Sequence, residues 1–133
     1  MTSVVIIADS GAEMARLTAT VHAAPGMVLV RHASGRSPVA SIVAGHQPGL
    51  VVLGEMSPRR LVLERLGEIR RVSPDSRVVV VAEDADARWL GGALGAGATA
   101  VIPGGPSAAA LGTVLQEVLD ADTAAAALMP QAA

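Results

Sequence analysis

A chain of 133 residues, 51% apolar and 17% charged with a net charge of −2, has enough apolar material for one core of ordinary size and too much for a disordered segment. The absence of cysteine removes disulfides and thiolate metal sites and fits a cytoplasmic protein. No apolar run nears the roughly 18 residues of a membrane span, and no basic stretch precedes the first one. The basic residues are scattered arginines and the one aromatic residue is Trp89; neither a basic stripe nor a stacking platform is offered, so no nucleic-acid or membrane partner is expected.

Val4 to Ala8 is continuously apolar, the pattern of a strand buried on both faces of a parallel sheet. Asp9 and Ser10 can cap the next helix, along which Met14, Leu17 and Val21 recur at helical spacing before Pro25-Gly26 ends it. Met27 to Val30 reads as a short second strand, flanked by polar residues and so at a sheet edge. A helix is predicted over Ser34 to Gly45, with Gly35 and Pro38 near its start. Leu50 to Leu53 is the third strand. Ser57-Pro58 then opens a helix, with Pro58 in the tolerated first turn and Val62, Leu66 and Ile69 on the buried face.

Ser73-Pro74-Asp75 turns the chain into a fourth strand, Val78 to Val81. The polar break Ala82-Glu83-Asp84-Ala85-Asp86 precedes a short helix from Ala87 to Ala96, closed by Gly97. Its inward stripe is expected at Leu90, Ala93, Leu94 and Gly97, with Trp89 at the margin. Thr99 to Ile102 is the fifth strand, and Pro103-Gly104-Gly105-Pro106 leads to the last helix, where Leu111, Val114, Leu115, Val118 and Leu119 line one face. Residues 1–122 form one domain by this reading, and 123–133 an Ala-rich tail or linker.

Five strand–helix units imply parallel pairing and right-handed crossovers. The predicted fold is therefore α/β: a doubly wound five-stranded parallel sheet in the flavodoxin-like order 2-1-3-4-5, with five helices. Its functional crevice lies at the carboxyl ends of strands one and three, which carry Asp9 and Gly54.

The block from Arg77 to Leu111 resembles the last third of a bacterial response-regulator receiver domain, and the resemblance extends over Val4 to Leu119, nearest to receivers of LuxR-type regulators. That family carries two acids after strand one for magnesium; here the pair is Asp9-Ser10. Its phosphoacceptor Asp ends strand three, four residues before a Pro. Pro58 is present, but the acceptor position is Gly54. The Thr or Ser after strand four is Ala82, the switch aromatic of strand five is Val101, and the Lys beyond it is Gly104. Lysine, asparagine, phenylalanine and tyrosine are all absent, the bias of GC-rich coding. Such drift turns Lys into Arg more readily than into glycine, so Gly104 carries more weight than the global count.

The resemblance then implies a phosphorylation-independent signalling and protein-interaction receiver domain, not an enzyme, with no cofactor and no metal. Acyl-phosphate chemistry needs a carboxylate nucleophile, which Gly54 lacks. Asp9 beside a hydroxyl makes a poor magnesium site, and no lysine neutralises a phosphoryl group. Glu55 follows Gly54, but strand side chains alternate, which turns it away and leaves it a loop acid. Asp9 is read as a helix cap, and Glu83, Asp84 and Asp86 as partners of a helix dipole. His22, His32 and His46 lie on separate units, without zinc spacing. Gly95-x-Gly97 follows a helix and so is not a dinucleotide loop, and Gly104-Gly105 reads as a turn.

The expected work of the domain is dimerisation, or docking of a partner domain, through the face of helix four, strand five and helix five. Trp89 is the expected anchor, with Arg88 and Asp86 as complementary charges. An output domain absent from this chain is also expected. Two alternatives remain open at this point: a small-molecule sensor whose pocket is lined by Gly54, Ala82 and Gly104, and an N-terminal localisation or docking domain of a pilus-assembly or cell-pole ATPase.

Overall fold

The apolar run at Val4 becomes β1 (Thr2–Ile7), and the chain then alternates: α1 (Gly11–Ala23), β2 (Met27–Ala33), α2 (Val39–His46), β3 (Leu50–Leu53), α3 (Leu61–Val72), β4 (Arg77–Val81), α4 (Ala87–Gly95), β5 (Ala100–Ile102) and α5 (Ala108–Leu128). The computed structural model describes residues 1–103 and 107–128. All four strand pairings are parallel and the order is β2-β1-β3-β4-β5, as the sequence predicts.

The alternation of strand side chains divides the core into two. Val5, Ile7, Val51, Leu53, Val78 and Val80 point to the layer of α2, α3 and α4. Val4, Ile6, Leu50, Val52, Val79 and Val81 point to α1 and α5, where Leu17, Val21, Leu111, Leu115 and Leu119 meet them. Val4 to Ile7, Leu50 to Leu53 and Val78 to Val80 are at most 1% exposed. Each such side chain contributes roughly 1.5–3 kcal/mol of transfer free energy, which accounts for their unbroken apolar character.

Four local features differ from the sequence expectation. First, β2 continues to Ala33, because a bulge after Leu29 skips Val30 and lets Arg31, His32 and Ala33 pair with Val5, Ile6 and Ile7. Their exposure is tolerated because β2 is an edge strand. Second, α2 begins at Val39 rather than Ser34: a residue before proline avoids helical backbone, and Ser34 to Ser37 form a turn closed by Ser37 N–H to the Ser34 carbonyl at 3.1 Å. Third, α3 begins at Leu61 rather than at Ser57-Pro58, after a turn in which Leu61 N–H donates to the Pro58 carbonyl at 2.9 Å.

The fourth difference is the rotation of α4. Ala93 is buried as expected, but Leu94 is 52% exposed, while Trp89 and Ala96 pack on the inner cluster. The inward stripe is therefore Trp89, Ala93 and Ala96 rather than Leu90, Leu94 and Gly97. The i,i+4 partner of Ala93 toward the amino end is Trp89, and the larger side chain takes the interior. Gly97 does close α4: its φ is +111°, and a Cβ there would lie 2.7 Å from Arg70 Cγ. The first part of the tail continues α5 to Leu128; Gly104, Gly105 and residues 129–133 lie outside the described residues.

Candidate functional site

The carboxyl ends of β1, β3, β4 and β5 converge on one rim of the sheet. After β1, the two polar residues divide their roles. Ser10 caps α1, its hydroxyl accepting from Glu13 N–H at 3.4 Å. Asp9 does not cap: Oδ1 accepts from Gly35 N–H at 2.8 Å and Oδ2 from Ser57 N–H at 3.2 Å. The helix-cap expectation thus holds for Ser10 and is corrected for Asp9, which ties the β2–α2 and β3–α3 loops to the end of β1. The correction has a geometric cause, because the two loops present backbone donors that have no strand partner there.

The residue that sequence reasoning missed is Glu13. It occupies the third position of α1, where Ser10-x-x-Glu13 has capping-box spacing and would return the carboxylate to the Ser10 N–H. Instead, Glu13 Oε1 reaches across to accept from Glu55 N–H at 2.6 Å. A Cβ built on Gly54 would lie 1.9 Å from that oxygen and 2.9 Å from Ala8 Cβ. The space beside Gly54 is therefore filled by a carboxyl group arriving from α1. Of the pocket expected from Gly54, Ala82 and Gly104, Gly54 is buried with the Glu13 carboxyl beside it, Ala82 lines a cleft toward β5, and Gly104 falls outside the described residues.

Burial raises the Glu13 carboxyl above the ordinary glutamate value. The neighbouring charges of Glu55 and Glu83 push the same way, against the Glu55 N–H bond and Arg16, which lower it. Glu55 turns away from Gly54, as strand alternation predicts. Its Oε1 accepts from Glu83 N–H at 3.1 Å and lies 3.9 Å from an Arg59 nitrogen. The other reach of Arg59 is to the Glu83 carbonyl at 2.5 Å, with its guanidinium 4.6 Å above the Trp89 ring centroid. Asp84 adopts a left-handed φ of +53° between Glu83 and α4. Asp86 caps α4, accepting from Trp89 N–H at 2.8 Å.

On the β5 side, Ala82 is buried and donates its N–H to the Ile102 carbonyl at 3.0 Å. With half-buried Val101, Leu90, Ala85, Asp84 and Pro103 it lines a cleft of about 260 Å³. On the α3 side, Leu63, Asp86, Arg88, Trp89 and Gly92 line a groove of about 370 Å³. Trp89 thus faces α3 rather than β5. Its Nε1 is buried without a hydrogen-bond partner, as is Arg59 Nε. Among the described residues no group of three or more His, Asp or Glu side chains is arranged to hold a metal ion. Nor is any described helix long and apolar enough to cross a membrane.

This chain has the receiver fold, the fold of response-regulator signal-receiving domains. The sequence matches no family model and no curated protein. Among solved structures it resembles a LuxR-family two-component response regulator from Aurantimonas sp., at 18% identity over 91% of this chain and 86% of that one, with a TM-score of 0.75. The response regulator domain of Thermotoga maritima CheB superposes with a TM-score of 0.71, at 21% identity over 98% and 99% of the two chains. A Burkholderia thailandensis structure described as a pilus assembly protein, CpaE, gives 0.70, at 17% identity over 90% and 99%. At these identities the likeness is one of fold, and function must be argued from the site.

Proposed function

We propose that this domain is a cytoplasmic signalling and protein-interaction module, a receiver that does not use aspartyl phosphorylation. One observation carries the reading: the acceptor position assigned by the resemblance is Gly54, and the Glu13 carboxyl lies where a side chain there would go. Acyl-phosphate formation requires a free carboxylate nucleophile with a fixed cation opposite. Glu13 is engaged by Glu55 N–H, Asp9 by two other backbone donors, and the chain has no lysine. Incubation with acetyl phosphate and magnesium is expected to add no mass, and beryllofluoride to leave the spectra unchanged. A magnesium-dependent phospho-adduct on Glu13 or Glu55 would overturn the proposal.

The work of such a module is association, and the occupant we assign to the α3–α4 groove is a second copy of this chain. Asp86 and Arg88 are both exposed and flank Trp89. A two-fold pairing sets Arg88 of each copy against Asp86 of the other, an isologous contact that one pair of charges satisfies twice. Light scattering should report a dimer that Arg88→Glu converts to monomer at unchanged melting temperature. Trp89→Ala should also dissociate it, with some loss of stability. A monomeric wild type removes this assignment. The likeness to the pilus assembly structure supports a second reading, a docking domain of a pilus-assembly or cell-pole ATPase, with the same groove as the contact.

A further inference from the structure

The crevice and the Trp89 groove are joined by an unbroken series of direct contacts. Glu13 Oε1 holds Glu55 N–H at 2.6 Å, and Glu55 Oε1 holds Glu83 N–H at 3.1 Å with Arg59 at 3.9 Å. Arg59 in turn donates to the Glu83 carbonyl and lies over Trp89 at 4.6 Å. We infer that Glu13 is a proton-operated latch: its carboxyl, seated beside Gly54, sets the position of Glu55 and Arg59 and through them the surface around Trp89.

The electrostatics give the direction. The charged groups facing Glu13 are Glu55 from the β3–α3 loop, Glu83 from the β4–α4 loop and Arg16 from α1 itself. Asp9, at the end of β1, is committed to Gly35 and Ser57. Ionised, Glu13 makes a charge-assisted bond to Glu55 N–H but repels the Glu55 carboxylate on the same residue. Protonated, it keeps a weaker bond and the repulsion ends, so the Glu55 carboxylate settles on Glu83 N–H and Arg59. Burial and the two acids hold the proton on Glu13 to higher pH than on an ordinary glutamate, so the latch turns above the ordinary glutamate value.

This inference gives the regulation of the groove assigned above to a second copy, and rests on that assignment only for its consequence. The coupling itself is read in the single chain. Trp89 is the one tryptophan, so its emission reports the groove without labelling. Wild-type emission and the Glu55 amide proton shift should titrate together, with one midpoint above the ordinary carboxylate range. Glu13→Gln, which keeps the shape and an acceptor oxygen, should abolish that step from both signals. Three results would each overturn the latch: no such step in either signal, an amide step that Trp89 does not follow, or a step that survives Glu13→Gln. Light scattering at the same pH values decides the second-copy assignment separately, since a monomer that still shows the coupled step keeps the latch and loses only the dimer.

Discussion

Replacing Gly54 by alanine puts a methyl group where the Glu13 carboxylate lies, and its cost follows from the distances. The new Cβ would stand 1.9 Å from Glu13 Oε1 and 2.9 Å from Ala8 Cβ. The first contact is relieved by swinging out the far end of a flexible side chain, which leaves the Glu55 N–H without its partner at a cost of about 1–3 kcal/mol. The second involves a stiff, buried neighbour that relaxes only by shifting backbone, at roughly 1–3 kcal/mol for overpacking. Gly54 does not have a positive φ, so no backbone strain adds to this, and alanine recovers about 0.4–1 kcal/mol through the unfolded chain. The expected loss is about 2–5 kcal/mol, read as a fall in the urea midpoint at constant slope. Glu13→Ala alone should cost about 1–3 kcal/mol for the same orphaned N–H. Because the hydrogen bond can be lost only once, the double variant Glu13→Ala/Gly54→Ala should cost less than the sum by about 1–3 kcal/mol. Additivity within about 0.5 kcal/mol would refute the placement of Glu13 beside Gly54.

Two further predictions concern the acids of the crevice. A capping Asp9 would tolerate Asn; the observed Asp9, with both oxygens accepting from separate loops, should not. Asp9→Asn is expected to lose about 0.5–1.5 kcal/mol and Asp9→Ala about 1–3 kcal/mol in thermal or urea unfolding, and a neutral Asp9→Asn would show that one of the two bonds contributes nothing. The Glu13 carboxyl titrates higher folded than unfolded, so the folded state holds its proton more tightly. That stabilisation is fully present below the ordinary glutamate range and is lost as pH rises through the raised folded value. Glu13→Gln should therefore be more stable than wild type at neutral pH, with the difference closing in acid, as followed by urea midpoints across pH.

The sheet was legible because its central strands, β1, β3 and β4, are buried on both faces. Val78 to Val81 and Leu50 to Leu53 admit no other reading once helices alternate with them, and the order then follows from connection rules. What escaped was set by contacts distant in sequence. The extension of β2 depends on a bulge opposite Val4 and Val5, which no residue of β2 announces. The rotation of α4 was decided by the fit of Trp89 under Arg59, thirty residues before it in the chain. Ser10-x-x-Glu13 was visible as a pattern, but its local meaning, a capping box, pointed to the wrong N–H. Only the fold brings Glu55 N–H within 2.6 Å of Glu13, across a separation of 42 residues.

Gly54 and Glu13 make sense as a pair. Deleting a side chain at the end of a buried strand leaves two debts: a void beside Ala8, and a backbone donor at Glu55 facing it. A carboxylate from the first turn of α1 settles both, since it fills the space and accepts the N–H, and it needs Gly54 to stay bare in order to fit. Arg59 and Glu55 extend the same arrangement to Glu83 and Trp89. The space beside Gly54 is thus filled by the chain's own carboxyl group, and the same series of contacts continues from it to the ring of Trp89.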